Sequence, residues 1–123
     1  MKIKTSALSG ASLDWAVAKI ELGNNFKYLS ITKDKKLFYH DPGDNYKYIS
    51  YSSWNLVGSI IERERIDLQA KINAGSDYDE WLATVGFGSK QRRRYGPTPM
   101  IAAMRCFVAS KLGDEVDIPK ELL

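Results

Sequence analysis

Thiols and imidazoles are nearly missing from this chain: Cys106 is its only cysteine and His40 its only histidine. A lone cysteine forms no intrachain disulfide, which excludes the disulfide-stapled scaffolds of small secreted domains. One histidine and one cysteine with no convergent spacing do not make a transition-metal site. Asp41 and Asp44 are the formal candidates for Mg²⁺, but acidic turn residues have a local backbone role, so a solvated loop is expected there, with no metal and no cofactor. Long apolar runs are missing too. Met1-Lys2-Ile3-Lys4-Thr5 is not followed by one, so neither a signal peptide nor a membrane span is expected, and a reducing cytoplasm is the simplest address. Glycines 86, 88 and 96 do not form a phosphate-binding fingerprint. Gly88-Ser89-Lys90 lacks the upstream glycines of a P-loop, which argues against a nucleotide hydrolase of that kind.

What is present fits one ordinary domain. The 123 residues are 44% hydrophobic, and a chain of this size buries about two thirds of the surface its unfolded form exposes, so it needs no staple. Formal net charge is +3, too mild to imply nucleic acid by itself. Its distribution is uneven. Residues 1–61 carry 8 basic and 5 acidic groups, whereas residues 62–123 carry 10 of each. Within that neutral half, Lys90, Arg92, Arg93 and Arg94 form a basic knot, and the stretch after Leu112 is acidic.

Apolar Leu13, Ala16, Val17 and Ile20 fall at helical spacing and predict a helix over 12–22, capped by Ser12 or Ser9 and stopped at Gly23, with Trp15 beside the stripe. Residues 26–31 read as a strand, 32–35 as a turn and 36–40 as the return strand of a hairpin. Asp41-Pro42-Gly43-Asp44-Asn45 is the clearest loop. The stretch 46–51, rich in tyrosine, is open between a short strand and an aromatic loop. Ser53 caps a second helix starting at Trp54, with Val57, Ile60 and Ile61 on its apolar face.

Ile66, Leu68, Ala70 and Ile72 alternate with polar residues, as in a half-buried strand. A turn at 73–77 and an antiparallel strand over 78–85 follow. Residues 86–96 read as a glycine- and arginine-rich loop. Thr98-Pro99 starts a helix that runs to Leu112 and stops at Gly113, with Met100, Ile101, Met104, Phe107, Val108 and Leu112 as its apolar face. The order of elements predicts an α+β fold, a small two-layer sandwich of about three helices on an antiparallel sheet. Residues 1–123 make a single domain, and 114–123 a C-terminal tail in which Val116, Ile118 and Leu122 are able to dock.

Three segments carry a family resemblance. They are Leu8-Ser9-Gly10-Ala11-Ser12-Leu13-Asp14-Trp15-Ala16-Val17-Ala18-Lys19, then Trp54 with Gly58-Ser59-Ile60-Ile61-Glu62-Arg63-Glu64-Arg65-Ile66, then Gly96-Pro97-Thr98-Pro99-Met100-Ile101-Ala102-Ala103-Met104-Arg105-Cys106-Phe107-Val108-Ala109-Ser110-Lys111-Leu112-Gly113. As an ordered set they resemble the phage NinX-like proteins, a family of unknown function found in bacteriophages and prophages. The resemblance implies an accessory protein at work in a bacterial host, and it brings no catalytic residues with it.

Individual residues admit three kinds of function. A small non-catalytic protein that engages a host or phage protein comes first, with Tyr51 and Trp54 as candidate contact aromatics. Second is weak, sequence-independent nucleic-acid binding by Lys90, Arg92, Arg93 and Arg94, with Tyr95 stacking on a single strand. Third is an enzyme with a cryptic pocket, which needs convergent polar groups in a cleft. Trp54 and Trp81 are expected to pack in the core, Cys106 to be a buried small hydrophobe, and Glu62 and Glu64 to face solvent at a helix end. Arg105, in an apolar helix, needs water or a partner. A snorkelling side chain or an ion pair with Glu62 or Glu64 is expected, the other reading being an anion ligand in a cleft.

Overall fold

The computed structural model describes residues 1–72 and 80–123. In chain order the elements are β1 (Lys2–Lys4), α1 (Gly10–Leu22), β2 (Leu29–Ile31), β3 (Leu37–His40), β4 (Tyr46–Ile49), α2 (Trp54–Glu64), β5 (Asp67–Lys71), β6 (Glu80–Val85), β7 (Arg92–Gly96), α3 (Pro99–Leu112) and β8 (Glu115–Asp117). The class is α+β, as the order of elements predicts. Its strands are divided among three antiparallel sheets, β1-β8, β2-β3-β4 and β5-β6-β7.

Helix α3 lies at the centre. Ala102, Ala103, Met104, Cys106, Phe107, Val108 and Ala109 are all buried. This is more of the helix than a one-sided face covers, because α3 packs against β6 and β7 as well as α1 and α2. The expected face is only partly right: Met104, Phe107 and Val108 are buried, whereas Met100, Ile101 and Leu112 are half-buried. The small residues let neighbouring backbone come close. A Cβ on Gly96, the last residue of β7, would lie 2.6 Å from the backbone nitrogen of Ala102, so only glycine fits where β7 turns into α3. The Thr98 hydroxyl accepts from the backbone N–H of Ile101 at 3.2 Å and Pro99 opens the helix, and Gly113 ends it at a φ of 94°.

Sequence and structure differ in several elements. Residues 23–28 wind into a 3₁₀ helix, so the strand begins only at Leu29. The tyrosine-rich stretch resolves as strand β4. Along the 66–72 strand, burial fades from Ile66 at 6% exposure to Ile72 at 80%, because β5 is an edge strand. Alternation alone does not show where a neighbour ends. The expected turn at 73–77, and Tyr78 and Asp79 of the expected strand, lie outside the described residues. Trp54 is 53% exposed and not in the core. It is the first residue of α2, whose buried side is set by Val57 and Ile60.

The stretch 114–123 contributes β8, which pairs with β1 through Lys2–Asp117, Ile3–Val116 and Lys4–Glu115. Val116, Ile118 and Leu122 are buried. Charge joins the three helices: Arg63 of α2 reaches Glu21 of α1 and Glu64, and Lys111 of α3 bonds Glu64 at 2.9 Å. Glu64 is therefore not the free surface charge its position suggests. The two cations hold its carboxyl below the ordinary range.

Candidate functional site

The basic knot is not a loop. Gly88–Lys90 is a short 3₁₀ turn and Arg92–Gly96 is strand β7, whose other edge pairs with no strand among the described residues. Alternate carbonyls of a strand point the same way, and guanidinium groups close two of them on β7 and one at the residue just before it. Arg92 donates to the carbonyl of Gln91 at 3.1 Å, Arg94 to that of Arg93 at 2.6 Å, and Arg105, from α3, to that of Tyr95 at 3.0 Å. An open edge invites another strand; these side chains blunt it.

Arg94 does more. Its Nε donates to the Thr5 hydroxyl at 3.1 Å and its Nη2 to the Asp114 carboxylate at 2.8 Å. The fully buried Thr5 in turn donates its backbone N–H to the carbonyl of Asp114 at 2.9 Å. The knot thus clamps β7 to both the N-terminal segment and the connection after α3. Of the residues singled out there, only Lys90, Arg93 and Tyr95 are exposed, and the Arg93 side chain has no hydrogen bond or ion pair among the described residues.

Arg105 corrects a second expectation. Neither Glu62 nor Glu64 pairs with it. Its Nε donates to the carbonyl of Leu8 at 2.7 Å and its Nη1 to that of Tyr95. Burial lowers its pKa from the usual arginine value, and the attachments are to neutral carbonyls. Arg93, Arg94 and Arg105 meet in a cleft of about 530 Å³ that Tyr95, Glu80 and Ser6 also line.

Tyr51 and Trp54 do not line one groove. Tyr51 is half-buried, and its backbone N–H is held by the Asp14 carboxylate at 3.0 Å. Burial, and then the nearby Glu21 and Asp14, push the Tyr51 phenol up to about 12. Burial also raises the Asp14 carboxyl. A groove of about 340 Å³ beside Tyr51 is lined by Tyr48, Lys47, Leu56 and Glu21; Trp54 does not line it. Cys106 is buried and its thiol is pushed up to about 11 by desolvation, as suits an inert packing residue. Asp41 accepts from the backbone N–H of Asn45 at 3.0 Å, and Asp44 meets His40 at 2.8 Å, the turn chemistry their loop requires.

An exposed aromatic face has no counterpart among the sequence-predicted sites. On the inward face of the β2-β3-β4 sheet, Leu37, Tyr39 and Ile49 are buried. On β3 and β4 the outward residues are Phe38, His40, Tyr46 and Tyr48, paired across the strands as Phe38–Tyr48 and His40–Tyr46. Ring centroids lie 5.2 Å apart for Phe38–Tyr48 and 5.8 Å for His40–Tyr46, with Phe38 6.4 Å from Tyr46. Lys36 Nζ sits 6.0 Å over the Tyr48 ring. Tyr46 and Tyr48 remain 68% and 66% exposed. Beyond Tyr48 the surface continues across the groove to Leu56, itself 47% exposed. The signal for this face was the alternation of aromatics in 38–40 and 46–48, once both stretches are paired strands.

Comparison with known proteins points to a family. The family model described as "Bacteriophage P22, NinX" matches residues 4–111 of the chain. No curated protein matches it.

Proposed function

The chain belongs to the bacteriophage P22 NinX family, and from that premise we propose that it is a phage accessory protein acting as a small non-catalytic binding module. It engages a host or phage protein through the aromatic face of the β2-β3-β4 sheet. The observation that carries this reading is the pair of tyrosines, Tyr46 and Tyr48, left about two-thirds exposed at 68% and 66% on a paired strand beside Phe38. Tyrosine supplies large contact area with few rotors to freeze and a hydroxyl that bonds at the rim, and interface hot spots are enriched in it. The rings are already ordered against one another, so little conformational entropy is lost on docking. The groove between Tyr48 and Leu56 offers a recess for an apolar anchor from the partner. The setting that goes with this role is the cytoplasm of the bacterial host. Among the described residues, no helix is long and apolar enough to cross a membrane.

The second reading, contact with nucleic-acid phosphates, draws on fewer cations than the sequence offers. Arg92 and Arg94 are engaged with backbone carbonyls, which leaves Lys90 and Arg93 as the exposed charges, with Tyr95 beside them.

Photo-crosslinking in phage-infected cells tests the first reading. A benzoylphenylalanine at position 46 or 48 is expected to give a discrete protein adduct that excess unlabelled protein competes away. The same probe at the exposed Lys120 should give none. Equal adducts at all three positions, or none at 46 and 48, contradict the reading.

A further inference from the structure

The arginine-lined cleft at the free edge of β7 holds groups that clamping the fold does not use. Strand register orders them. Arg93 lies opposite Thr84 of β6 and Tyr95 opposite Leu82. Glu80 lies four residues from Thr84 along β6, about 13 Å of strand at about 3.3 Å per residue. The cleft therefore runs from a cationic end, through an exposed aromatic ring, to a carboxylate.

At the cationic end, Arg94 is engaged by Asp114, Thr5 and the carbonyl of Arg93, whereas Arg105 is fixed on the neutral carbonyls of Leu8 and Tyr95 with no carboxylate paired to it among the described residues. Its positive charge is pre-organised in the wall, and Arg93 lines the same cleft unpaired among the described residues. Fixed guanidinium groups suit a phosphate, which they bind through charge-assisted hydrogen bonds. A bare phosphate would ignore Tyr95 and be repelled by Glu80. A ligand with a phosphate at one end, a planar ring in the middle and hydrogen-bond donors at the far end uses the two arginines, the ring and the carboxylate together.

We propose that this cleft binds a nucleoside monophosphate, with the phosphate on Arg93 and Arg105, the base against Tyr95 and a base amine or sugar hydroxyl donating to Glu80. Its volume of about 530 Å³ falls within the range of small-molecule sites. The site stands on a different sheet from the aromatic face, so either can fail without the other.

Calorimetric titration of the full chain with adenosine monophosphate, ribose 5-phosphate, inorganic phosphate and adenosine tests this. The monophosphate is expected to bind several-fold more tightly than ribose 5-phosphate, and inorganic phosphate and adenosine more weakly still. Arg93→Ser should weaken the monophosphate by about tenfold or more, the size of one lost charge-assisted contact. It should leave the thermal melt unchanged, since Arg93 is exposed and holds nothing in the fold. Tyr95→Ala should weaken the monophosphate several-fold and ribose 5-phosphate hardly at all. No binding at millimolar concentration, binding insensitive to Arg93→Ser, or adenosine or phosphate binding as well as the monophosphate would each overturn the proposal.

Discussion

The two three-stranded sheets use their conspicuous residues in opposite ways. In β5-β6-β7 the conspicuous residues are arginines, and two of the three on β7 turn back to close backbone carbonyls at its free edge. In β2-β3-β4 they are aromatic rings, and the outward ones pair with each other while two stay mostly in water. Charge that reads in sequence as an exposed basic loop largely holds the fold, and a tyrosine-rich stretch open between strand and loop carries an exposed aromatic face. A guanidinium has several donors on a long arm and can satisfy carbonyls wherever water is scarce. A tyrosine on a one-sided sheet has only two directions available, and register decides which.

Substitutions in the arginine-edged sheet should damage the fold most. Gly96→Ala forces a Cβ to within 2.6 Å of the Ala102 backbone nitrogen. β7 and α3 must then part, at about 3 kcal/mol, the upper part of the overpacking range. Urea unfolding measures this, and an unchanged midpoint would show that the two elements do not meet there. Next comes Arg105→Met, which keeps the bulk of the arm but strands the carbonyls of Leu8 and Tyr95. The loss is about 2 kcal/mol, since an unsatisfied buried acceptor costs about 1–3 kcal/mol. Because Ile101 is only half-buried, Ile101→Ala should cost about 1–2 kcal/mol, below the range for fully buried side chains.

Asp14 sharpens the comparison from the other side, because it ties Tyr51, just beyond β4, to α1. Burial raises its carboxyl pKa above 3.8, so the folded chain binds that proton more tightly than the unfolded one. Its contribution is most favourable below the ordinary carboxyl range and declines as pH rises through the raised value. Asp14→Asn keeps an acceptor for the Tyr51 N–H and removes the titration. The difference in melting temperature, variant minus parent, should therefore be more positive at pH 7 than at pH 4. A difference that does not change with pH, or changes the other way, would show that Asp14 is not held in a desolvated setting.

Much of the fold was legible in the sequence. Thr98-Pro99 and Gly113 bracket α3, and Ser53 marks the start of α2, whose Asn55 N–H its hydroxyl receives at 3.2 Å. These are local signals, fixed by caps and ring geometry within a few residues. The losses were non-local. Nothing in Arg92-Arg93-Arg94 tells that β6 lies beside it and turns a polar run into a strand. Trp54 stays in water because the neighbours that fill the core, Val57 and Ile60, are chosen by where α3 lies. The aromatic face went unseen because it exists only when 38–40 and 46–48 are paired in register. An arginine in an apolar helix needs a partner, as Arg105 does, but the carbonyls of Leu8 and Tyr95 lie on segments that only tertiary structure brings to it.

Thermal unfolding of two double variants side by side tests the division of labour most directly: Arg94→Ser with Arg105→Met, and Tyr46→Ser with Tyr48→Ser. The arginine pair should lower the melting temperature by several degrees or more, since each kcal/mol lost in a domain of this size shifts it by roughly 2–8 °C. Exposed positions away from structural contacts usually change stability by no more than about 0.5 kcal/mol, so the tyrosine pair should melt within a few degrees of the parent while losing its crosslinked partner. A tyrosine pair that unfolds early and an arginine pair that does not would reverse the roles assigned to the two sheets.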